Sequence, residues 1–233
     1  MQINKLMRKV IALSIFSIFF TEAFALDVKI SKDIESIEVM HNGVPVTIQR
    51  IQNTNNQLTG GFTKTSRKCP PFCVQPIQTA PGVKTVAELE VLKFMQTQLK
   101  NGTGVLIDAR TPDWHKKGTI PGSINIPFTT FDHSEYHPQL REAMGKLGVK
   151  QKNGNNSLFN DLLVKLGIKD DNKSPWDYSN AKDILLWCNG MWCGQSPRAI
   201  KNLLKHKYPT NKIFYYRGGM QTWQILGLTV VIP

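Results

Sequence analysis

The stretch Ile184-Leu185-Leu186-Trp187-Cys188-Asn189-Gly190-Met191-Trp192-Cys193-Gly194-Gln195-Ser196-Pro197-Arg198-Ala199-Ile200 decides the fold. Its first four residues are wholly apolar, as in a strand buried on both faces of a parallel sheet. Ser196 then reads as a helix cap, Pro197 as preset for the first helical position, and Ile200, Leu203 and Leu204 as the buried stripe. The residues between, from Cys188 to Gln195, therefore join the end of a central strand to a helix N-terminus. In open α/β sheets ligands bind outside the carboxyl ends of the strands. A loop curled there aims backbone N–H groups inward, and the helix adds partial positive charge.

This position gives Cys188 a chemistry. A free thiol with a pKa near 8.5 is only about 3% thiolate at pH 7. Lowering that pKa to about 7 needs roughly 2 kcal/mol, which a helix terminus and a few amides supply. Cys188 is the candidate nucleophile, and the backbone N–H groups from Asn189 through Gly190, Met191, Trp192, Cys193 and Gly194 to Gln195 are the candidate anion cradle. Arg198, Lys201 and Arg217 are candidate sources of positive potential. An inert core thiol, or a structural disulfide between Cys188 and Cys193, is the competing reading. No metal or organic cofactor is implied.

Two further apolar runs match the first. Val105-Leu106-Ile107 ends at Asp108-Ala109-Arg110, and Ile213-Phe214-Tyr215-Tyr216 ends at Arg217-Gly218-Gly219. Short apolar strands separated by helices predict a parallel sheet covered on both faces. Val86 to Met95 has helical spacing, with Leu89, Leu92 and Met95 along the predicted buried side. An insertion of roughly 133–183 carries a second periodic stretch, Leu158, Phe159, Leu162, Leu163 and Leu166. Upstream, 36–51 alternates around Asn42-Gly43, the signature of a hairpin with a type I′ turn. A polar loop follows, then Cys69-Pro70-Pro71-Phe72-Cys73, with a boundary near Pro81.

At 233 residues, with 41% hydrophobic and 20% charged, the chain has the composition of a globular protein. That excludes a polytopic membrane protein, a collagen-like fibre and a disulfide-dense miniprotein. Lys5, Arg8 and Lys9, the apolar run 10–20 and Ala23-Phe24-Ala25 read as a cleavable signal peptide over residues 1–25. The run is too short for a comfortable transmembrane helix, so the expectation is a periplasmic protein without stable membrane insertion after cleavage. Its removal takes three positive charges and one negative, so the formal net charge of +12 becomes +10. In an exported chain that balance argues against nucleic acid. It fits a solvated basic surface, or attraction of small oxyanions or an acidic periplasmic partner protein.

The segments Leu106-Ile107-Asp108-Ala109-Arg110 and Gly118 to Pro127, the strand ending in Cys188, and Tyr216-Arg217-Gly218-Gly219-Met220-Gln221-Thr222-Trp223 together resemble rhodanese-like domains, in the family's order. The resemblance implies a three-layer α/β sandwich around a parallel five-stranded sheet over residues 83–233, with a helical insertion at about 133–183. Residues 26–82 form an N-terminal extension with the β-hairpin. It further implies a sulfurtransferase whose cysteine holds sulfane sulfur as a persulfide, taken from thiosulfate or polysulfide and passed to a thiol, sulfite or cyanide. Asp108 and Arg110 fall where the family braces the sheet edge; Trp223 and Gly218-Gly219 fall at packing and turn positions. Trp114 and His115, after the first strand, read as surface loop, with a place on the rim of the pocket as the alternative.

The loop departs from that pattern. Ser196 lies eight positions after Cys188, which is long for the family. Five positions after Cys188, where an arginine or another polar residue is usual, stands Cys193. The loop has no arginine before Arg198, which argues against phosphatase chemistry. Cys193 would resolve or guard a Cys188 persulfide, or the two would form a thiol–disulfide redox centre. A non-turnover sulfur-delivery protein is a third reading. In an oxidising compartment Cys69 and Cys73 predict a small disulfide ring, contributing roughly 2 kcal/mol by chain entropy. A zinc site on all four cysteines, or folding of the proline-rich pair over the catalytic loop with exchange between the pairs, are the alternatives.

Overall fold

The computed structural model describes residues 26–152 and 174–233. The predicted signal peptide and the periodic stretch Leu158 to Leu166 lie outside the described residues.

The chain opens with β1 (Ser36–His41) and β2 (Val44–Gln49). They pair antiparallel in the register Ile37↔Ile48 and Val39↔Val46. Asn42 and Gly43 take φ of 50° and 81°, the two left-handed residues that a type I′ turn requires. There follow β3 (Lys84–Val86), α1 (Glu88–Phe94), β4 (Gly104–Asp108), α2 (Pro112–His115) and β5 (Ser123–Asn125). Next come α3 (Pro138–Lys146) and a two-residue ribbon of β6 (Lys150–Gln151) with β7 (Trp176–Asp177). The chain closes with β8 (Asp183–Trp187), α4 (Gln195–Lys205), β9 (Ile213–Tyr216) and α5 (Gly219–Ile225).

Five strands form one parallel sheet in the order β3-β9-β8-β4-β5. β8 lies at its centre, and its side chains alternate between two cores. Ile184 and Leu186 join Val105, Ile107, Ala199, Ile200 and Leu203 on one face. Leu185 and Trp187 join Leu106, Val91, Leu92 and Trp223 on the other. The fully apolar reading of this strand follows from burial on both sides.

The hairpin is part of that second core, because Ile37, Val39 and Ile48 pack within it. In α1, by contrast, Leu89 is 49% exposed, and Val91, Leu92 and Phe94, followed by Met95, are the buried residues. Leu92 and Met95 are thus buried as expected, while Leu89 alone turns outward and Val91 and Phe94 complete the buried side. The reason lies at the helix start: Glu90 Oε2 accepts the Ala87 N–H at 3.0 Å, which fixes the first turn with Leu89 outward.

Candidate functional site

Cys188 sits at the carboxyl end of β8, and both of its neighbours in space are helix starts. At α5, the Met220 N–H donates to the Cys188 carbonyl at 2.9 Å, and the Gln221 N–H donates to the Asn189 carbonyl at 3.0 Å. Helix-terminal donors without intrahelical partners are thus used to hold the loop backbone. Gly219 makes this approach possible: a Cβ there would stand 2.3 Å from the Cys188 carbonyl oxygen, and its φ is +56°.

At α4 the structure differs from the expected cap. The helix begins at Gln195 with Gly194 in the cap position, so Ser196 and Pro197 lie inside the first turn. Ser196 is fully buried, and its hydroxyl donates to Cys188 Sγ at 3.0 Å. Spent on a buried sulfur, that hydroxyl does not cap the helix. The backbone N–H groups of Ser196 and Gly190 also face Cys188. Burial alone pushes the Cys188 thiol up, but hydrogen bonds from Cys193 and Ser196 and these two amides outweigh it and bring the pKa down to about 7. Cys193 moves the opposite way: its hydrogen bond to Cys188, then burial, raise its pKa. The two groups titrate together, and Cys193 holds its proton more tightly than Cys188. Both are free thiols.

The loop amides do not all point at Cys188 as the sequence predicts. The Cys193 N–H closes a turn on the Gly190 carbonyl at 2.9 Å, while those of Gln195 and Asn189 face Cys193. Asn189 Nδ2 approaches Cys193 Sγ at 3.8 Å and Gln195 Oε1 at 3.5 Å, and Cys193 Sγ lies 3.5 Å from Gln195 Oε1. Met191 is 43% exposed, with its carbonyl accepting the Gln75 N–H at 2.8 Å. The Trp192 indole donates to Gln221 Oε1 at 2.6 Å. Met191 and Trp192 therefore hold the loop to its surroundings and do not form a cradle.

Three predicted cations are also placed differently. Arg198 is committed to Asp132, with Nε to Oδ1 at 3.1 Å and Nη2 to Oδ2 at 2.5 Å, and its guanidinium lies over Phe128. Arg217 donates twice to the Gln75 carbonyl, at 3.0 and 2.8 Å. Lys201 lines a separate groove with Lys205 and Asn202. None of the three supplies free positive charge at the sulfurs.

The N-terminal extension completes the site. Cys69 and Cys73 are paired at disulfide distance, with Cα atoms 4.7 Å apart. Among the described residues no group of three or more His, Cys, Asp or Glu could hold a metal ion, and the four cysteines form two separate pairs. The ring they close packs against the loop: Phe72 meets the Trp192 indole edge-on at 5.5 Å, and the Arg67 guanidinium lies 3.8 Å over that indole. The folding of the proline-rich pair over the 188–195 loop is thus observed. Together they bound a cavity of about 270 Å³ walled by Pro71, Phe72, Trp114 and Phe128. Asn189, Cys193 and Gln195 line its inner side and Arg198 its edge. Of the two thiols, Cys193 borders the cavity.

Trp114 is therefore a pocket residue in the short helix α2, not surface loop. His115 joins the brace at Asp108, its Nδ1 at 3.0 Å from Oδ2. Arg110 donates to both Asp108 oxygens at 2.8 and 2.6 Å, and to the Gly118 carbonyl. Burial opposes the Asp108 charge, and Arg110 with His115 nevertheless holds its pKa below the usual carboxylate value. Asp108 and Arg110 brace the sheet end, as expected, and His115 joins them. Absent from the sequence-based site are Ser196 as a donor to sulfur, and Phe72, Arg67 and Gln75 as the clamp. Phe72 carries a visible signal, an aromatic between two prolines and a cysteine. Tyr215, under α4, keeps a buried hydroxyl without a partner, and burial and then the Cys188 charge raise its pKa.

A family model described as the rhodanese-like domain matches residues 91–226, more than half of the chain. Among curated proteins none matches. Among solved structures, a Rhodopseudomonas palustris protein described as a possible tyrosine phosphatase is 14% identical, covering 66% of this chain and 88% of its own, with a TM-score of 0.40. A human single-domain sulfurtransferase is 18% identical over 61% of this chain and 96% of its own, with a TM-score of 0.35. A Saccharomyces cerevisiae single-domain sulfurtransferase is 15% identical, at 62% and 91% coverage and a TM-score of 0.36.

Proposed function

Because the chain belongs to the rhodanese-like domain family, we propose that it is a sulfurtransferase that carries sulfane sulfur as a persulfide on Cys188. The observation that carries this reading is the thiol at the end of β8, brought to a pKa of about 7 by Ser196, Cys193 and two backbone amides. Cys188 thiolate attacks the outer sulfur of thiosulfate or a polysulfide. The new S–S bond forms as the donor's S–S bond breaks, and sulfite or a shortened polysulfide leaves with the electron pair. An acceptor thiolate, sulfite or cyanide then takes the outer sulfur and returns Cys188 to thiolate. Cys193 keeps its proton beside the persulfide and guards it.

The nearness of Cys193 to Cys188 supports a second reading. Cys193, deprotonated, would attack Cys188 of the persulfide, expelling hydrosulfide and leaving a Cys188–Cys193 disulfide. Export through residues 1–25 to the periplasm is part of the proposal, and the Cys69–Cys73 pairing supports an oxidising compartment. Lys201 and Lys205, along one groove beside the catalytic loop, support docking of an acidic partner protein.

Intact mass decides between the readings. Protein reduced at Cys188 and Cys193 and incubated with polysulfide gains about 32 Da if it carries sulfur. That gain is absent in Cys188→Ser and retained in Cys193→Ser. A loss of about 2 Da in place of the gain would replace the carrier with the redox centre. No change in mass would remove both.

A further inference from the structure

The cavity above Cys193 is built for something other than a free inorganic anion. Its walls are Pro71, Phe72, Trp114 and Phe128. The cation at its edge, Arg198, is held by both Asp132 oxygens and covered on one face by Phe128. Arg67, the nearest cation of the extension, lies over Trp192 and donates to the Gly61 carbonyl at 2.5 Å. An entering dianion would lose water without gaining a free counter-charge, which is unfavourable. Two of the four walls, Pro71 and Phe72, come from the extension, outside the family match at 91–226. Half of the apolar lining is therefore supplied by this chain's own strap.

The inner side of the cavity adds a second observation. Asn189 borders it and is buried; its Nδ2 faces Cys193 and Gln195, whereas its Oδ1 has no hydrogen-bond partner. A buried acceptor calls for a donor. Thiosulfate brings acceptors only, and hydrogen sulfite and hydrogen cyanide have no apolar body to fill the walls. A neutral thiol brings an S–H.

We infer that the cavity receives a small apolar organic thiol as the sulfur acceptor, seated between Phe72, Trp114 and Phe128 with its S–H on Asn189 Oδ1. The inference rests on persulfide carriage by Cys188 and names the acceptor class for that site. In the transfer, the acceptor sulfur bonds the outer sulfur of the Cys188 persulfide. The Cys188 S–S bond breaks with its electron pair returning to Sγ, and the acceptor's proton ends on the Cys188–Cys193 pair. The product is the organic persulfide, with no net oxidation or reduction.

The test loads Cys188 from polysulfide, removes excess donor, and follows loss of the added mass with 2-phenylethanethiol or 2-mercaptoethanesulfonate. Each rate is divided by that thiol's rate with a free small-molecule persulfide. The apolar thiol is expected to be favoured by about tenfold or more, the usual worth of an apolar pocket contact. Phe72→Ala is expected to bring the ratio close to one, and Phe72→Leu to keep most of it. A ratio near one in the unaltered protein, or one unchanged by Phe72→Ala, overturns the inference. Absence of any added mass on Cys188 instead refutes sulfur carriage. The pocket is then still read by titrating 2-phenylethanol, an isostere that keeps the donor, against the Trp114 indole N–H in NMR spectra. Saturable shifts lost in Phe72→Ala support the apolar site; no shift overturns it.

Discussion

The ring closed by Cys69 and Cys73 and the loop from Cys188 to Cys193 have nearly the same spacing and opposite chemistry. Cys69 is exposed, its ring is braced by two prolines, and the pair is joined. Cys188 and Cys193 are buried at a strand end and free. The first pair has no helix terminus behind it. The second meets the first turn of α4, the Ser196 hydroxyl and inward amides, which together favour a thiolate in a buried place. Spacing brings two sulfurs within reach; the surrounding donors decide whether a sulfur is a link or a nucleophile. The two pairs also meet physically, since Phe72 from the ring rests on Trp192 from the loop.

That contrast can be broken at each of its parts. The largest effect is expected from exchanging roles: Cys188→Ser lowers the rate of sulfur loading by about a thousandfold or more, as loss of a nucleophile does. Cys69→Ser leaves the rate within about threefold. A single-turnover mass assay reads both. Next comes the donor that separates the pairs. Ser196→Ala removes a hydrogen bond to the charged form of Cys188, and its pKa rises by about one to two units. Loading at pH 7 falls accordingly and recovers as pH is raised. The sign follows from the thiolate being the reactive form.

Smaller changes sharpen the structural side. Opening the ring in Cys69→Ser costs about 2 kcal/mol and lowers Tm by roughly 4–8 °C in a thermal melt. Removing the cation over the shared indole, in Arg67→Ala, costs about 0.5–1 kcal/mol. The same melt shows it as a shift of a few degrees at most, and Trp192 fluorescence reports the loosened strap. A larger shift in Arg67→Ala than in Cys69→Ser would mean that the ring is held by its contacts more than by its bond.

Much of this was legible in the residues, for reasons of burial. β4, β8 and β9 are covered on both faces and so are wholly apolar, and the Asn42-Gly43 turn announces its hairpin. β3 and β5 are three-residue edge strands of mixed character, Lys84-Thr85-Val86 and Ser123-Ile124-Asn125, too short to show a period. The place of Cys188, between an apolar run and a helix start, was legible. The partners that tune and enclose it were not, because they come from far along the chain. Asp132 neutralises Arg198 from 66 positions away, and Arg217 grips Gln75 from 142. Ser196 has the same composition signal whether it caps a helix or donates to sulfur, and only the path of the loop separates the two.

The ionisation of Cys188 can be read directly from the far-ultraviolet absorbance of thiolate, titrated with pH in unaltered protein and in Cys188→Ser. A midpoint near 7, absent from the variant, with Cys193 staying protonated through neutrality, is the expected result. A midpoint at the ordinary thiol value, or a neutral titration that survives in Cys188→Ser, contradicts the account.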